Sequence, residues 1–429
     1  MDKQSTPVLR KSLLALMLIV NFGMLFVFKY FNSFSDVTSS FFAELDVYVV
    51  SPHIDWLLPI GISFYVLTAC SYAIDVYKGK FHPERHLGLF ALYLSFFPRL
   101  AAGPIVRVNE LMAQFRQVHK FDGVLISDGL KLVIWGLFKK IVIADRLAAY
   151  VNLVYDHPSS YNGITFAVAT FFFAFQIYCD FSGYVDVALG TAQILGFNLP
   201  DNFNRPYSST SVREFWNRWH ITLYAWLRDY VYIPLGGNRA SKPRIWFNII
   251  IVFVISGLWH GAEFTFLAWG LILGIFVATA VAFERVHTRQ GFKKPKRRLR
   301  TFVGVCITFV LISFAWIFFR ANSIQDALHI VSAIGSQIVH IGANILNREM
   351  LIETWEAVNI SFGPLWIALS LCLLIGFSLF HYFQPHEGMR HMLDGRPIVV
   401  KWAFYYLLII GIIFLGVYAG QTPFIYFGF

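Results

Sequence analysis

The chain has 429 residues, of which 57% are hydrophobic and only 14% charged. Its mean hydropathy of +0.58 excludes an ordinary soluble surface, which needs nearer a quarter of its residues charged, so the bilayer is the expected solvent. The formal net charge of +10 would point to nucleic acid in a soluble protein, but no basic, aromatic-interleaved soluble face is present. The basic residues sit instead in short loops between apolar segments, the pattern of cytoplasmic retention.

In chain order, the first apolar stretch, residues 13–28, follows Lys3, Arg10 and Lys11. Lys29-Tyr30-Phe31 comes next in place of a small-residue cleavage site, so an uncleaved signal-anchor helix is expected. Crossing the hydrocarbon core takes about 20 apolar residues. Spans are predicted near 11–30, 57–77, 128–152, 163–181, 245–262, 264–284, 301–320, 362–382 and 402–420. Shorter pieces near 88–104, 183–198 and 216–234 carry Pro, Gly or charge and are expected to be re-entrant or in-plane segments buried in protein. Aromatics reach 18%, with 45 Phe, which suits lipid contact and interfacial belts.

With the N-terminus inside, strict alternation puts Lys78-Gly79-Lys80, 107–120, 239–244, 293–298 and 381–401 all in the cytoplasm. That agreement supports about nine spans, N-terminus in and C-terminus out. The expected architecture is an all-α polytopic membrane protein, a single domain over 1–429 with no internal repeat. Cys70, Cys179, Cys306 and Cys372 show no paired spacing, so neither a disulfide framework nor a metal site is expected.

Four constellations carry chemistry. In Phe97-Pro98-Arg99-Leu100-Ala101-Ala102-Gly103-Pro104, two prolines and a glycine break an apolar segment around one cation. Arg99 is expected either to meet an anionic group or to pair with an aspartate. In Gln176 to Asp186, Asp180 and Asp186 lie deep in an apolar stretch beside Ser182 and Gly183. Structural ion pairs with Arg205, Arg213 or Arg218 compete there with a functional role. Arg213-Glu214-Phe215-Trp216-Asn217-Arg218-Trp219-His220 mixes Trp, Arg, Asn and His. At helical spacing Trp216 and His220 share a face, lining a cavity or lying in the interface as an amphipathic helix. The strongest is Ser256-Gly257-Leu258-Trp259-His260-Gly261-Ala262-Glu263. An ionisable residue inside a membrane is costly and usually faces a cavity or a partner, and imidazole can take a proton from a hydroxyl during acyl attack. The alternative for His260 is a structural histidine bonded to a backbone carbonyl. Gly257 and Gly261 would let a substrate or another backbone approach.

These motifs, in this order, resemble the bacterial branch of the membrane-bound O-acyltransferases, nearest to the alginate O-acetyltransferase membrane-subunit type. Trp135-Gly136-Leu137-Phe138-Lys139-Lys140, Phe318-Phe319-Arg320-Ala321 and Phe424-Ile425-Tyr426-Phe427 also look like that subgroup, so the match covers nearly the whole chain. The resemblance implies a helical fold around a central tunnel in the bacterial inner membrane. It carries the family's essential histidine to His260 and its second histidine to His220. Trp216, Asn217, Arg218, Trp219, Trp259, Asp180, Ser182 and Arg99 are then candidates to line the tunnel or touch substrate. It further implies acetyl-CoA or another acyl thioester as donor substrate, with no permanently bound cofactor. A cell-surface polysaccharide is the implied final acceptor, reached through an extracytoplasmic SGNH-type transferase or esterase. The subgroup normally opens with a further pair of hydrophobic helices, and this chain is expected to begin at the third. A transporter or a scaffold for polymer export would share the broken helices and intramembrane charges, and the absence of a repeat weighs against transport.

Overall fold

The computed structural model describes residues 6–56, 59–289, 298–344, 348–383, 393, 395–418 and 424–425. The basic run at 293–297 and Tyr426-Phe427 of the closing motif lie outside them. Helix α1 runs Pro7–Ala43. It starts where Thr6 Oγ1 accepts the Leu9 N–H and Pro7 takes the first turn, a position where proline's missing donor costs nothing. It is interrupted by one wide π-turn at Phe26–Tyr30. Only Leu25 and Ser35 along it are buried, so this helix faces lipid over most of its length. It packs on α2, Ile62–Tyr77.

Helices α3 (Leu87–Ser95), α4 (Phe97–Leu100) and α5 (Val108–Phe115) follow as short pieces, in line with the prolines that punctuate this stretch. Helix α6 (Gly123–Leu137) passes through a π-turn at Phe138–Ala144 into α7 (Asp145–Asp156). The core helix is α8, Gly163–Ile194, about 48 Å long at 1.5 Å per residue. Asn162 caps it, its side-chain oxygen accepting the Thr165 N–H at 3.2 Å.

The structure corrects one expectation here. Residues 183–194 of the short piece expected at 183–198 are not a separate re-entrant segment but continue α8 through Gly183. The glycines serve helix contact instead. A Cβ on Gly136 would sit 2.5 Å from the Gly183 carbonyl oxygen, and one on Gly190 would sit 2.5 Å from that of Gly129. Small residues that let backbones touch are how helices associate where lipid offers no hydrophobic drive.

Short helices α9 (Val212–Trp216) and α10 (Ile221–Leu227) lead through a π-turn at Arg228–Tyr232 to α11 (Lys242–His260) and α12 (Phe264–Arg289). These last two form a tight pair. Helices α13 (Arg298–Arg320), α14 (Ile324–Asn344), α15 (Arg348–Asn359), α16 (Gly363–Phe383) and α17 (Ile398–Leu415) complete the chain. Of these, α14 falls in a stretch where no span was expected. Among the described residues, 7 helices are long and apolar enough to cross a membrane, and each coincides with an expected span. The other two expected spans correspond to the shorter α2 and to the α6–α7 unit. The chain is an all-α polytopic membrane protein.

Replacing Gly183 by Leu is expected to wedge α6 from α8, since overpacking a close contact costs about 1–3 kcal/mol or more. Thermal unfolding in detergent, followed by size-exclusion recovery, should show a lowered midpoint. A wild-type midpoint would mean that the close approach contributes nothing to stability.

Candidate active site

His260 is the last residue of α11, where Gly261 takes an extended conformation and its N–H bonds the Gly257 carbonyl at 3.3 Å. Of the two uses expected for the flanking glycines, approach of neighbouring protein is the one realised. A Cβ on Gly257 would fall 2.2 Å from the Phe266 carbonyl oxygen, and one on Gly261 would fall 2.3 Å from the Phe266 ring.

The helical continuity expected from Trp216 to His220 does not occur. Helix α9 ends at Trp216, Trp219 makes an isolated antiparallel bridge to Phe203, and His220 sits at φ 44°, ψ 53°. A left-handed conformation at a non-glycine residue costs about 1–3 kcal/mol and persists only where the surroundings over-determine it. Here they do. The Asn204 N–H bonds Arg218 O at 2.9 Å and the Ile221 N–H bonds Asn202 O at 3.0 Å, gripping the strap on both sides of His220. Asn202 Oδ1 also accepts the Thr222 N–H at 3.1 Å and its hydroxyl at 2.6 Å.

Both histidines therefore enter one buried aromatic interior. The Trp259 ring lies between them, its centroid 4.8 Å from that of His260 and 6.2 Å from that of His220. Trp269 and Phe319 set their edges to His260 at 5.1 and 5.3 Å. Phe181 and Phe64 flank His220 at 4.8 and 6.2 Å. Such a sheath excludes water and strengthens any electrostatic interaction inside it.

A cleft of about 350 Å³ approaches this interior. Arg213, Asn217, Arg228 and Asn238 line it together with apolar side chains of α11 and α12, among them Val252 and Phe253. Past Tyr224, Val252 and Phe253 it meets a pocket of only about 10 Å³, walled by Trp216, His220, Leu223, Leu227 and Ser256; that volume admits about one water. Ile249, Val252, Phe253 and Ser256 step along α11 toward His260, a climb from Ile249 to His260 of about 16 Å.

The other expected site residues are placed elsewhere. Asp180 pairs with Lys140 at 2.6 Å, and Lys140 also reaches Asp145 at 2.8 Å. Asp186 pairs with Lys139 at 2.8 Å, whose ammonium also donates to Ser182 Oγ at 2.8 Å. Two of the cations that meet these aspartates are thus the lysines of the Phe138–Ala144 π-turn; Arg218 pairs with Glu214, at 2.6 Å. Neither Asp180 nor Ser182 lines the cleft or the pocket beside His220. Among the described residues Arg99 meets no aspartate. It donates to Thr68 Oγ1 at 3.1 Å and to the Tyr93 carbonyl, and lines a small pocket beside Phe64. Trp219 is packed between Phe215, Phe203 and Trp316.

Several residues of this interior were missed from the sequence. His381, expected in a cytoplasmic loop, ends α16 facing inward; its Nδ1 lies 3.2 Å from Phe377 O and its Nε2 3.1 Å from the Tyr178 hydroxyl. A histidine closing an apolar run was the available signal. Tyr224 in the passage wall carried none, whereas Ser256 opens the motif that contains His260.

The model of the membrane-bound O-acyltransferase family matches residues 85–323, a stretch that contains both histidines and the cleft. Across 97% of its length the chain is 33% identical to the peptidoglycan O-acetyltransferase of Helicobacter pylori, covering 82% of that protein. It is 39% identical to the probable alginate O-acetylase AlgI of Pseudomonas aeruginosa, over 75% of this chain and 60% of that one. Identity to the teichoic acid D-alanyltransferase of Bacillus subtilis is 24%, over 61% of this chain and 69% of that one.

The lysine–aspartate network brings a prediction. Lys140→Met leaves Asp180 and Asp145 facing each other without their shared cation, and removing one partner of a buried pair costs about 3–5 kcal/mol. The detergent-solubilised variant should lose most of its folded yield, and Lys140→Met with Asp180→Asn should recover part of it. Equal yields for wild type and the single variant would show that the network is not a stability element.

Proposed function

The chain belongs to the membrane-bound O-acyltransferase family, and from that premise we propose that it moves an acetyl group from a cytoplasmic thioester to a hydroxyl acceptor, for O-acylation of a cell-surface polysaccharide. The observation that carries this reading is the cleft that runs from Arg213 and Arg228 along α11 to the pocket walled by His220 and Ser256, one helical turn before His260. Guanidinium groups at an entrance attract a phosphorylated carrier such as coenzyme A. Two buried indole N–H groups, of Trp216 and Trp269, have no acceptor among the described residues, and Trp269 stands against His260. Donors held ready in a dry site suit a thioester carbonyl as negative charge develops on its oxygen.

In the proposed step the acceptor oxygen attacks the thioester carbonyl carbon while its proton passes to His260. The C–S bond then breaks, and the proton moves on to the departing thiolate. His220 lines the small pocket at the inner end of the cleft, held there by its strained backbone; that pocket has to widen before an acyl group enters it. The loop charges favour an inner-membrane protein with a cytoplasmic N-terminus and an external C-terminus. They also put the Arg228–Lys242 end of the cleft on the donor side. An extracytoplasmic SGNH-type partner would complete delivery to the polymer, with alginate-, cellulose- or peptidoglycan-like acceptors in view.

His260→Ala is expected to cut acetylation by about 10²–10⁴-fold, the usual contribution of a general base. Surface-polymer acetyl content, with membrane levels checked by blot, reads this directly, and unchanged acetylation at normal protein level would remove the general-base role. Arg228→Ala should raise KM for acetyl-CoA by roughly fivefold with kcat kept, and high salt should narrow the difference.

A further inference from the structure

The end of α11 is held by side chains from a helix that otherwise faces lipid. The last carbonyls of a helix lack intrahelical donors, and at lipid depth water does not replace them. Gly257 O is taken by the Gly261 N–H. Leu258 O accepts the Tyr30 hydroxyl at 2.5 Å, and Trp259 O accepts Lys29 Nζ at 2.7 Å. The same ammonium reaches Ser63 Oγ at 3.4 Å and lies 5.8 Å from the centre of the Trp259 ring. Trp259 Nε1 is pinned in turn to Ser63 O at 3.2 Å.

Lys29 and Tyr30 close the π-turn at Phe26–Tyr30, an irregularity often found at functional sites. A lysine in the middle of a lipid-facing helix costs about 2.5–3.5 kcal/mol by insertion scales, so a compensating partner is required. The negative end of α11 supplies one. The atom chosen is informative: Trp259 C=O and His260 N–H belong to one planar peptide unit. Fixing that oxygen fixes the direction in which the backbone enters His260.

We infer that Lys29 is a positioning residue for His260, locking the Trp259–His260 peptide so that the imidazole is presented in one orientation. The inference rests on the acyl-transfer reading for its kinetic consequence and on geometry alone for the anchor. Misplacing a catalytic group by a fraction of an ångström to an ångström costs up to about a hundredfold in rate, while substrate affinity, set at the far end of the cleft, is untouched.

The test uses the full chain in membrane vesicles, with acetyl-CoA as probe and release of the free coenzyme A thiol as readout. Lys29→Met should lower kcat roughly ten- to a hundredfold with KM for acetyl-CoA within twofold, and Lys29→Arg should restore part of the rate. Hydrogen exchange over 258–261 should quicken in Lys29→Met. Asn32→Ala controls for general loosening of α1: it removes two bonds between Asn32 and the Ile54 backbone, at 3.1 and 2.9 Å, and should keep wild-type kcat. A Lys29→Met variant with wild-type kcat overturns the proposal, as does an Asn32→Ala variant that is equally slow. If wild type and His260→Ala release thiol at the same rate, it is the acyl-transfer reading that falls. Exchange at 258–261 then decides the anchor alone: unchanged exchange in Lys29→Met refutes it.

Discussion

Hydrocarbon offers no hydrogen bonds, so every helix end left at its depth must find a donor in the protein. Much of this structure follows from that single demand. Arg146 donates to the Leu415 carbonyl at the end of α17 at 2.8 Å, and on the side of the basic Lys78–Lys80 loop Arg10 donates to the Tyr77 carbonyl at the end of α2 at 2.9 Å. With Lys29 on Trp259 O at 2.7 Å, three cations terminate three helices in the same way. Each sets its charge against the negative end of a helix dipole. The positive charges that look like a surface property in the composition are in these cases structural bolts between distant segments.

Around the histidines the same demand is met by backbone geometry. His220 occupies a conformation that an α-helix cannot supply, and the strap at 202–204 supplies the bonds that hold it. His260 ends a helix that would fray without help from α1. Neither histidine is held by its own helix alone: a strap sixteen to eighteen residues earlier grips the backbone around His220, and a side chain of α1 reaches the peptide before His260. The aromatic rings then fill what remains, with Trp259 shared between them. A dry, rigid interior of this kind suits chemistry in which water is the competing nucleophile.

The membrane class, seven of the spans and the location of both histidines were legible because apolar run length and intramembrane ionisable residues report directly on lipid. What escaped is equally physical. Helical spacing put Trp216 and His220 on one face, whereas tertiary pairing with 202–204 overrode the helix. Gly183 reads as a helix breaker in a soluble setting, yet between packed membrane helices it is a contact surface against Gly136. Arg218, one of the arginines expected opposite Asp180 and Asp186, turns to Glu214, while a π-turn aims two adjacent lysines at those aspartates, and such a turn leaves no mark in residue spacing. Lys29 was read as the flank of an anchor helix because its partner lies 230 residues away.

The narrowness of the passage beside His220 has a further meaning. A continuous file of water molecules across a bilayer conducts protons, and a cell that lives on its proton gradient cannot tolerate such a short circuit. Between Phe253 and Trp216 there is room for about one water, too little for such a file at that point. The cleft can open a path for an acyl group only while that group itself stops the leak.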